Sequence, residues 1–136
     1  MENISEHISY KEATQSSTAI RHGIDNTPPE NIIPFMKAVA EQCFEPLRKW
    51  YGKPIRINSF YRSPDLNALV KGASNSQHVK GQAIDIDAGS KEENKKLFDY
   101  IKNNLKFDQV INEYDYSWVH VSFNPGQNRN QYLEIK

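Results

Sequence analysis

The 136-residue sequence predicts an α+β fold, an antiparallel sheet flanked by helices. Three observations predict it. One long run carries apolar residues at helical spacing, four short stretches alternate with a period of two, and the elements come as helix, strands, helix and hairpin. Hydrophobic residues make up 38% and aromatic residues 11% of the chain, enough to close one core, so a single domain over 1–136 is expected.

Residues 1–30 read as a polar, short-helical segment that ends in IDNTPPE, where two prolines fix the backbone before the next element. From Asn31 to about Trp50, Ile32, Phe35, Met36, Val39, Ala40, Cys43, Phe44 and Leu47 form one apolar stripe, and Gly52 and Pro54 stop the helix. IRINSF reads as a short strand that runs into the turn YRSPDLN. A helical turn or two follows over Asp65–Val70, and GASNSQ is a loop. In QAIDID, Ile84 and Ile86 face the core while Ala83, Asp85 and Asp87 face the other way. Ser90 caps a helix over SKEENKKLFDYIKNNL, with Glu92 and Glu93 in its first turn. FDQVINEY and SWVHVSF form a hairpin around Asp115, with Trp118, His120 and Ser122 on one face of the second strand. The tail NPGQNRNQYLEIK adds an edge strand or frays.

Lys plus Arg and Asp plus Glu both number 17, with no long block of one sign, so neither nucleic acid nor an anionic membrane is expected as a partner. No run of eighteen apolar residues suggests a membrane span, and the first residues lack a basic, then apolar, leader pattern. Synthesis in the cytoplasm and a monomer are expected. The single cysteine, Cys43, has no internal partner and reads as a small buried apolar residue.

The chemistry gathers in SQHVKGQAID and SWVHVSF. Alternation puts Asp85 and His120 on the polar faces of two strands, and if those strands are neighbours, His78 in the preceding loop supplies a third group. Two histidines and a carboxylate suit a catalytic zinc with one open position, and Gly81 and Ala83 are expected to keep its approach clear. Spacing alone leaves open the plainer reading of a surface histidine and a strand-end aspartate.

The ordered trio SFYRSPDLN, SQHVKGQAIDID and SWVHVSF resembles the signatures of the zinc D-Ala-D-Ala carboxypeptidase family of peptidoglycan peptidases, in its phage and bacterial branch, which shares its fold with hedgehog domains. The likeness extends over roughly Ser16 to Phe123. It implies a hedgehog/DD-peptidase-like fold, zinc as cofactor, and His78, Asp85 and His120 as its ligands. It also implies that Arg62 holds the substrate's carboxylate or the developing oxyanion, a role that suits an always-charged planar guanidinium. Ser76 and Gln77 are expected to orient His78 or touch substrate, and Trp118 to wall the cleft. Asp87 is expected to stay outside the ligand set.

Two positions depart from the family pattern. Phe60 stands where relatives often have glycine, which either tightens the turn or shields the site with a ring. Ser117 stands where many relatives carry an acidic general base. The base is then expected to be Glu113, with Asp115 as the alternative. The implied function is hydrolysis of peptide bonds in bacterial peptidoglycan, by a carboxypeptidase or an endolysin-type endopeptidase released by phage-type lysis or carried on a virion. The rival readings are an inactive zinc-binding hedgehog-like module for cell-wall or virion recognition, and a phage structural protein.

Overall fold

The structure, a computed structural model, describes residues 3–73 and 75–136; Met1, Glu2 and Ser74, the last in the expected GASNSQ loop, lie outside the described residues. Two short helices, α1 (Tyr10–Thr14) and α2 (Ser17–Arg21), come first, each with a serine cap. Ser9 and Glu12 form a reciprocal capping box, and Ser16 accepts from the Ala19 amide. The leading segment is less polar in function than in composition, because Ile4 and Ile8 insert fully into the core. The Glu45 carboxylate clamps this segment down by accepting from the Ser5 hydroxyl at 2.5 Å and the His7 amide at 2.8 Å.

The amphipathic run is helical as expected, but it is not one regular α-helix. A 3₁₀ turn at Glu30–Ile32 leads into α3 (Ile33–Val39), a π-helical stretch at Ala40–Phe44, and then α4 (Glu45–Tyr51). Pro46 explains the π stretch: it has no amide to give to the carbonyl four residues back, so the ladder widens by one residue to pass its ring. Gly52 ends α4 in the left-handed conformation at φ 74°. Cys43 is fully buried beneath this helix, and burial pushes its thiol pKa up to about 12, so it packs as an inert apolar residue.

Five strands form one sheet in the order β1 (Arg56–Ser59), β2 (Ala83–Asp87), β4 (Trp118–Ser122), β3 (Gln109–Glu113), β5 (Gln131–Ile135). Helix α5 (Pro64–Leu69) follows β1, and α6 (Lys91–Asn104) joins β2 to β3. The first four strands in this order pair antiparallel, whereas β5 pairs parallel to β3. The parallel pair arises because the chain returns after β4 to the start of β3, where the Asn130 amide bonds the Phe107 carbonyl and the Gln131 amide the Asp108 carbonyl. The tail is therefore an ordered edge strand.

One face of the sheet is apolar. Ile84, Ile86, Val110, Val119 and Val121 are fully buried against Met36, Val39, Leu47, Leu97 and Ile101 of the helices. Each such side chain contributes about 1.5–3 kcal/mol by leaving water, which fixes the register: a slip of one residue would turn every one of them outward. The polar positions between them must then face the other side, and that side carries a cleft of about 980 Å³.

Gly81 and Ala83 do not guard that cleft as expected. Gly81 is left-handed, at φ 71°, and a Cβ there would come within 2.6 Å of Ile32 Cγ2 and 2.7 Å of Met36 Cγ. The glycine exists so that the loop before β2 can lie against the start of α3, and Ala83 is itself fully buried. Gly81→Ala combines an overpacked contact with a left-handed β-carbon and should cost about 2–4 kcal/mol. A thermal melt should show the midpoint lowered by roughly 5–15 °C; an unchanged midpoint would mean that the helix does not press on this loop.

The loop after β4 is tied to the sheet by Asp108, which is almost wholly buried and accepts from the Arg129 amide at 3.0 Å and from Nε and Nη2 of the same residue, each at 2.8 Å. The Arg129 guanidinium, opposed by burial, holds the Asp108 carboxyl down at about 2. A carboxyl whose pKa is lower folded than unfolded stabilises above its unfolded value and loses that contribution as pH falls through the folded one. Asp108 should therefore add about 1–2 kcal/mol above pH 4, after allowance for the half-exposed guanidinium, and lose it between about pH 4 and 2. Urea unfolding across that range should show a shallower acid limb in Asp108→Asn.

Candidate metal centre and active site

The β2–β4 pairing sets Asp85 directly opposite His120, and a second register pairs His120 with Ile111 and Trp118 with Glu113 on β3. Asp85, His120 and Glu113 are thus neighbours on the cleft side for the same reason that the isoleucines and valines are neighbours in the core. His120 Nδ1 lies 3.0 Å from Asp85 Oδ1 and 3.8 Å from Glu113 Oε2. His78 arrives from the turn before β2, with Nε2 3.2 Å from Asp85 Oδ2. Arg62, from the segment after β1, places Nη2 3.6 Å from that same oxygen.

The His78 ring is fixed from behind. Its Nδ1 lies 2.8 Å from the Phe60 carbonyl, which only accepts, so Nδ1 carries the proton and Nε2 of the neutral ring presents a lone pair. That lone pair faces a carboxylate oxygen. Two acceptors at 3.2 Å repel unless a cation stands between them, and a second proton on His78 is disfavoured because burial of this 3% exposed residue lowers its pKa, outweighing the pull of Asp85. A metal ion resolves the conflict. Zinc ligands at about 2.0–2.2 Å in a tetrahedron are about 3.3–3.6 Å apart, so the separations of 3.2 and 3.0 Å need open by only a few tenths of an ångström. One nitrogen each from His78 and His120 and one Asp85 oxygen all lie within 4.8 Å of one another, and the donor set of two imidazoles and a carboxylate suits zinc.

Burial alone would push the Asp85 carboxyl up, but the His78 and His120 imidazoles outweigh it and hold it well below the usual carboxylate range. Glu113 shifts the other way: burial, reinforced by the charge of Asp85, raises its pKa above the ordinary value. The two acids are therefore shifted in opposite directions, Asp85 toward its charged form and Glu113 toward its neutral one.

A family profile described as Peptidase M15 matches residues 6–122. The chain belongs to the peptidase M15 family. The likeness read from the three signatures holds at that level. Over 38 residues this M15 chain is also 53% identical to the zinc D-Ala-D-Ala carboxypeptidase of Streptomyces albus G, a stretch that covers 28% of the chain and 15% of that relative's length.

Other candidate residues of this M15 chain fall in distinct places. Ser76 Oγ accepts from the His78 amide at 3.2 Å, and Gln77 Nε2 donates to Asp108 at 2.7 Å. Trp118 lines the cleft, with its indole Nε1 buried and without a hydrogen-bond partner among the described residues. Asp115 sits on the exposed hairpin turn, 2.7 Å from Lys91, and is absent from the cleft wall. Ser117 bonds the Tyr114 carbonyl on the same turn, and Asp87 accepts from the Gly89 amide and Asn94 at the entry to α6.

Phe60 turns its ring into the core, at 2% exposure, and does not shield the site; its carbonyl is the part that serves the site. A backbone oxygen has no letter in a sequence. Asn26 was equally silent, yet its buried side chain accepts from the Ser63 amide and donates to the Thr14 and Tyr61 carbonyls, fixing the Tyr61–Ser63 segment that delivers Arg62. Arg62 is then aimed by Ser59 Oγ at 3.2 Å from Nε and Asn67 Oδ1 at 3.3 Å from Nη1.

Proposed function

We propose that the chain is a single-domain, zinc-dependent peptidase that hydrolyses peptide bonds of bacterial peptidoglycan, as a D-Ala-D-Ala carboxypeptidase or an endolysin-type endopeptidase. The observation that carries this reading is the buried Asp85 carboxylate held between two imidazoles, with Glu113 beside one and Arg62 beside the acid. His78, Asp85 and His120 would hold the zinc. When bound, the ion would supply Lewis acidity and a water whose pKa falls from 15.7 toward about 7.

Glu113 is the base. It lines the cleft within 3.8 Å of His120, and its raised pKa suits a group that takes a proton and returns it to the leaving amine. Asp115 is engaged elsewhere by Lys91. Arg62, held at three points, stabilises the oxyanion or the substrate's carboxylate with donors already in place, which removes the cost of arranging them during reaction.

A second reading, an inactive zinc-binding recognition module, draws on Ser117 at the position where relatives carry the base. Glu113 supplies on β3 the acid that Ser117 lacks, which favours the enzyme. Purified cell walls separate the two: the zinc-loaded enzyme should release new amino termini and a chelator should stop it, whereas a recognition module binds the walls and releases none.

A further inference from the structure

Residues 123–136 lie beyond the stretch that matches the family, yet Asn124, Gln127, Arg129 and Ile135 line the same cleft as the candidate metal ligands. Arg129 is the charged member of that wall. It is held by a partner it does not exhaust: Nε and Nη2 bond the two oxygens of Asp108 in a fork, while Nη1 has no partner among the described residues. Asp108 is 1% exposed and Arg129 is 56% exposed at its side chain, so the acid lies beneath and the guanidinium stands at the cleft surface. Gln77 donates to the same acid, tying this wall to the loop that carries His78.

A loop tie alone does not need this arrangement, because the Arg129 amide already bonds Asp108 Oδ1. What the fork adds is orientation. A guanidinium locked on one edge presents its remaining N–H groups in a fixed plane, the geometry that accepts a carboxylate with little ordering cost. The surroundings favour an anion as well. Lys71 and Lys80 line the cleft without an ion-pair partner among the described residues, and of the acids there, Asp85 and Asp108 are already engaged.

We propose that Arg129, oriented by buried Asp108, binds a carboxylate of the substrate peptide away from the bond that is cut, so that the enzyme selects peptides whose internal carboxylate is free over those in which it is a carboxamide. This rests on the peptidase reading above and adds a substrate class to it. Arg129 is a substrate-binding residue supplied by the segment after β4.

The test uses two synthetic cell-wall stem peptides of the same sequence, one with its internal carboxylate free and one with it as the primary carboxamide, their C-termini identical. The full chain should cleave the free-acid peptide about 10–100-fold better in kcat/KM, the range expected for charge-assisted hydrogen bonds, with most of the difference in KM. Arg129→Gln alone would strand the buried Asp108 charge and risk unfolding, so the informative protein is Asp108→Asn/Arg129→Gln, with Arg129→Lys beside it. The double variant should lose the preference and cleave the two peptides with the same kcat/KM, while Arg129→Lys keeps part of it. An equal loss on both peptides would reduce Arg129 to a loop tie, and an unaltered chain that does not discriminate would overturn the proposal while leaving the peptidase reading intact. Calorimetric binding of both peptides to Glu113→Gln distinguishes the remaining case. If nothing is cleaved but the free-acid form binds more tightly through Arg129, the peptidase reading falls and the carboxylate site at Arg129 stands without it; equal binding of the two forms overturns that site.

Discussion

Glu113→Gln should lower the rate of amino-terminus release from cell walls by about 10²–10⁴-fold, the range that a positioned general base contributes, while the protein binds zinc as before. The substitution is close to isosteric and removes only the ability to take the proton. Glu113 lies 3.8 Å from His120 at its nearest oxygen and lends no atom to the cluster of His78, Asp85 and His120, so the metal site should survive it. Asp115→Asn is the matching control. That acid pairs with Lys91 on an exposed turn, and its loss should leave hydrolysis within about twofold, in keeping with the small worth of an exposed pair. If Asp115→Asn were the damaging change and Glu113→Gln harmless, the base assignment would be reversed.

Removing a ligand should do more. His120→Ala is the cleanest of the three ligand changes, because His78 also anchors to the Phe60 carbonyl and Asp85 also faces Arg62. Complete four-ligand zinc sites bind with about 10–16 kcal/mol, so one ligand fewer should weaken binding by about 10²–10³-fold. Hydrolysis should fall to the background of the assay at limiting zinc. The chain should stay folded, with a near-normal circular dichroism spectrum, since His120 belongs to the cleft face of β4 and the core face is untouched. Full hydrolysis in His120→Ala, His78→Ala or Asp85→Ala would reject the ligand set.

What the sequence made legible follows from periodicity. The alternation in QAIDID and SWVHVSF was enough to put Asp85 and His120 on the same side of two strands, because the isoleucines and valines between them leave no other choice of face. That the two strands are neighbours was a condition the pattern could not supply; strand order depends on how the chain crosses over, here with β4 inserted between β2 and β3. Within the long helix, the apolar stripe was readable and the π stretch was not, since the stripe continues through Pro46 while the backbone beneath it changes pitch. Gly81 looked like an open approach to a ligand; only the position of Ile32 and Met36 shows it to be a packing requirement. The groups that orient the site, the Phe60 carbonyl, Asn26, and Asp108 with Arg129, are backbone atoms or polar residues without a motif. Their meaning comes from tertiary position alone.

The account rests on one metal ion shared by His78, Asp85 and His120. Zinc-loaded protein measured by anomalous scattering on either side of the zinc absorption edge tests this directly. The expected result is one strong peak per chain, bounded by His78 Nε2, an Asp85 oxygen and His120; a peak elsewhere, or none in protein shown to be zinc-loaded, would contradict it.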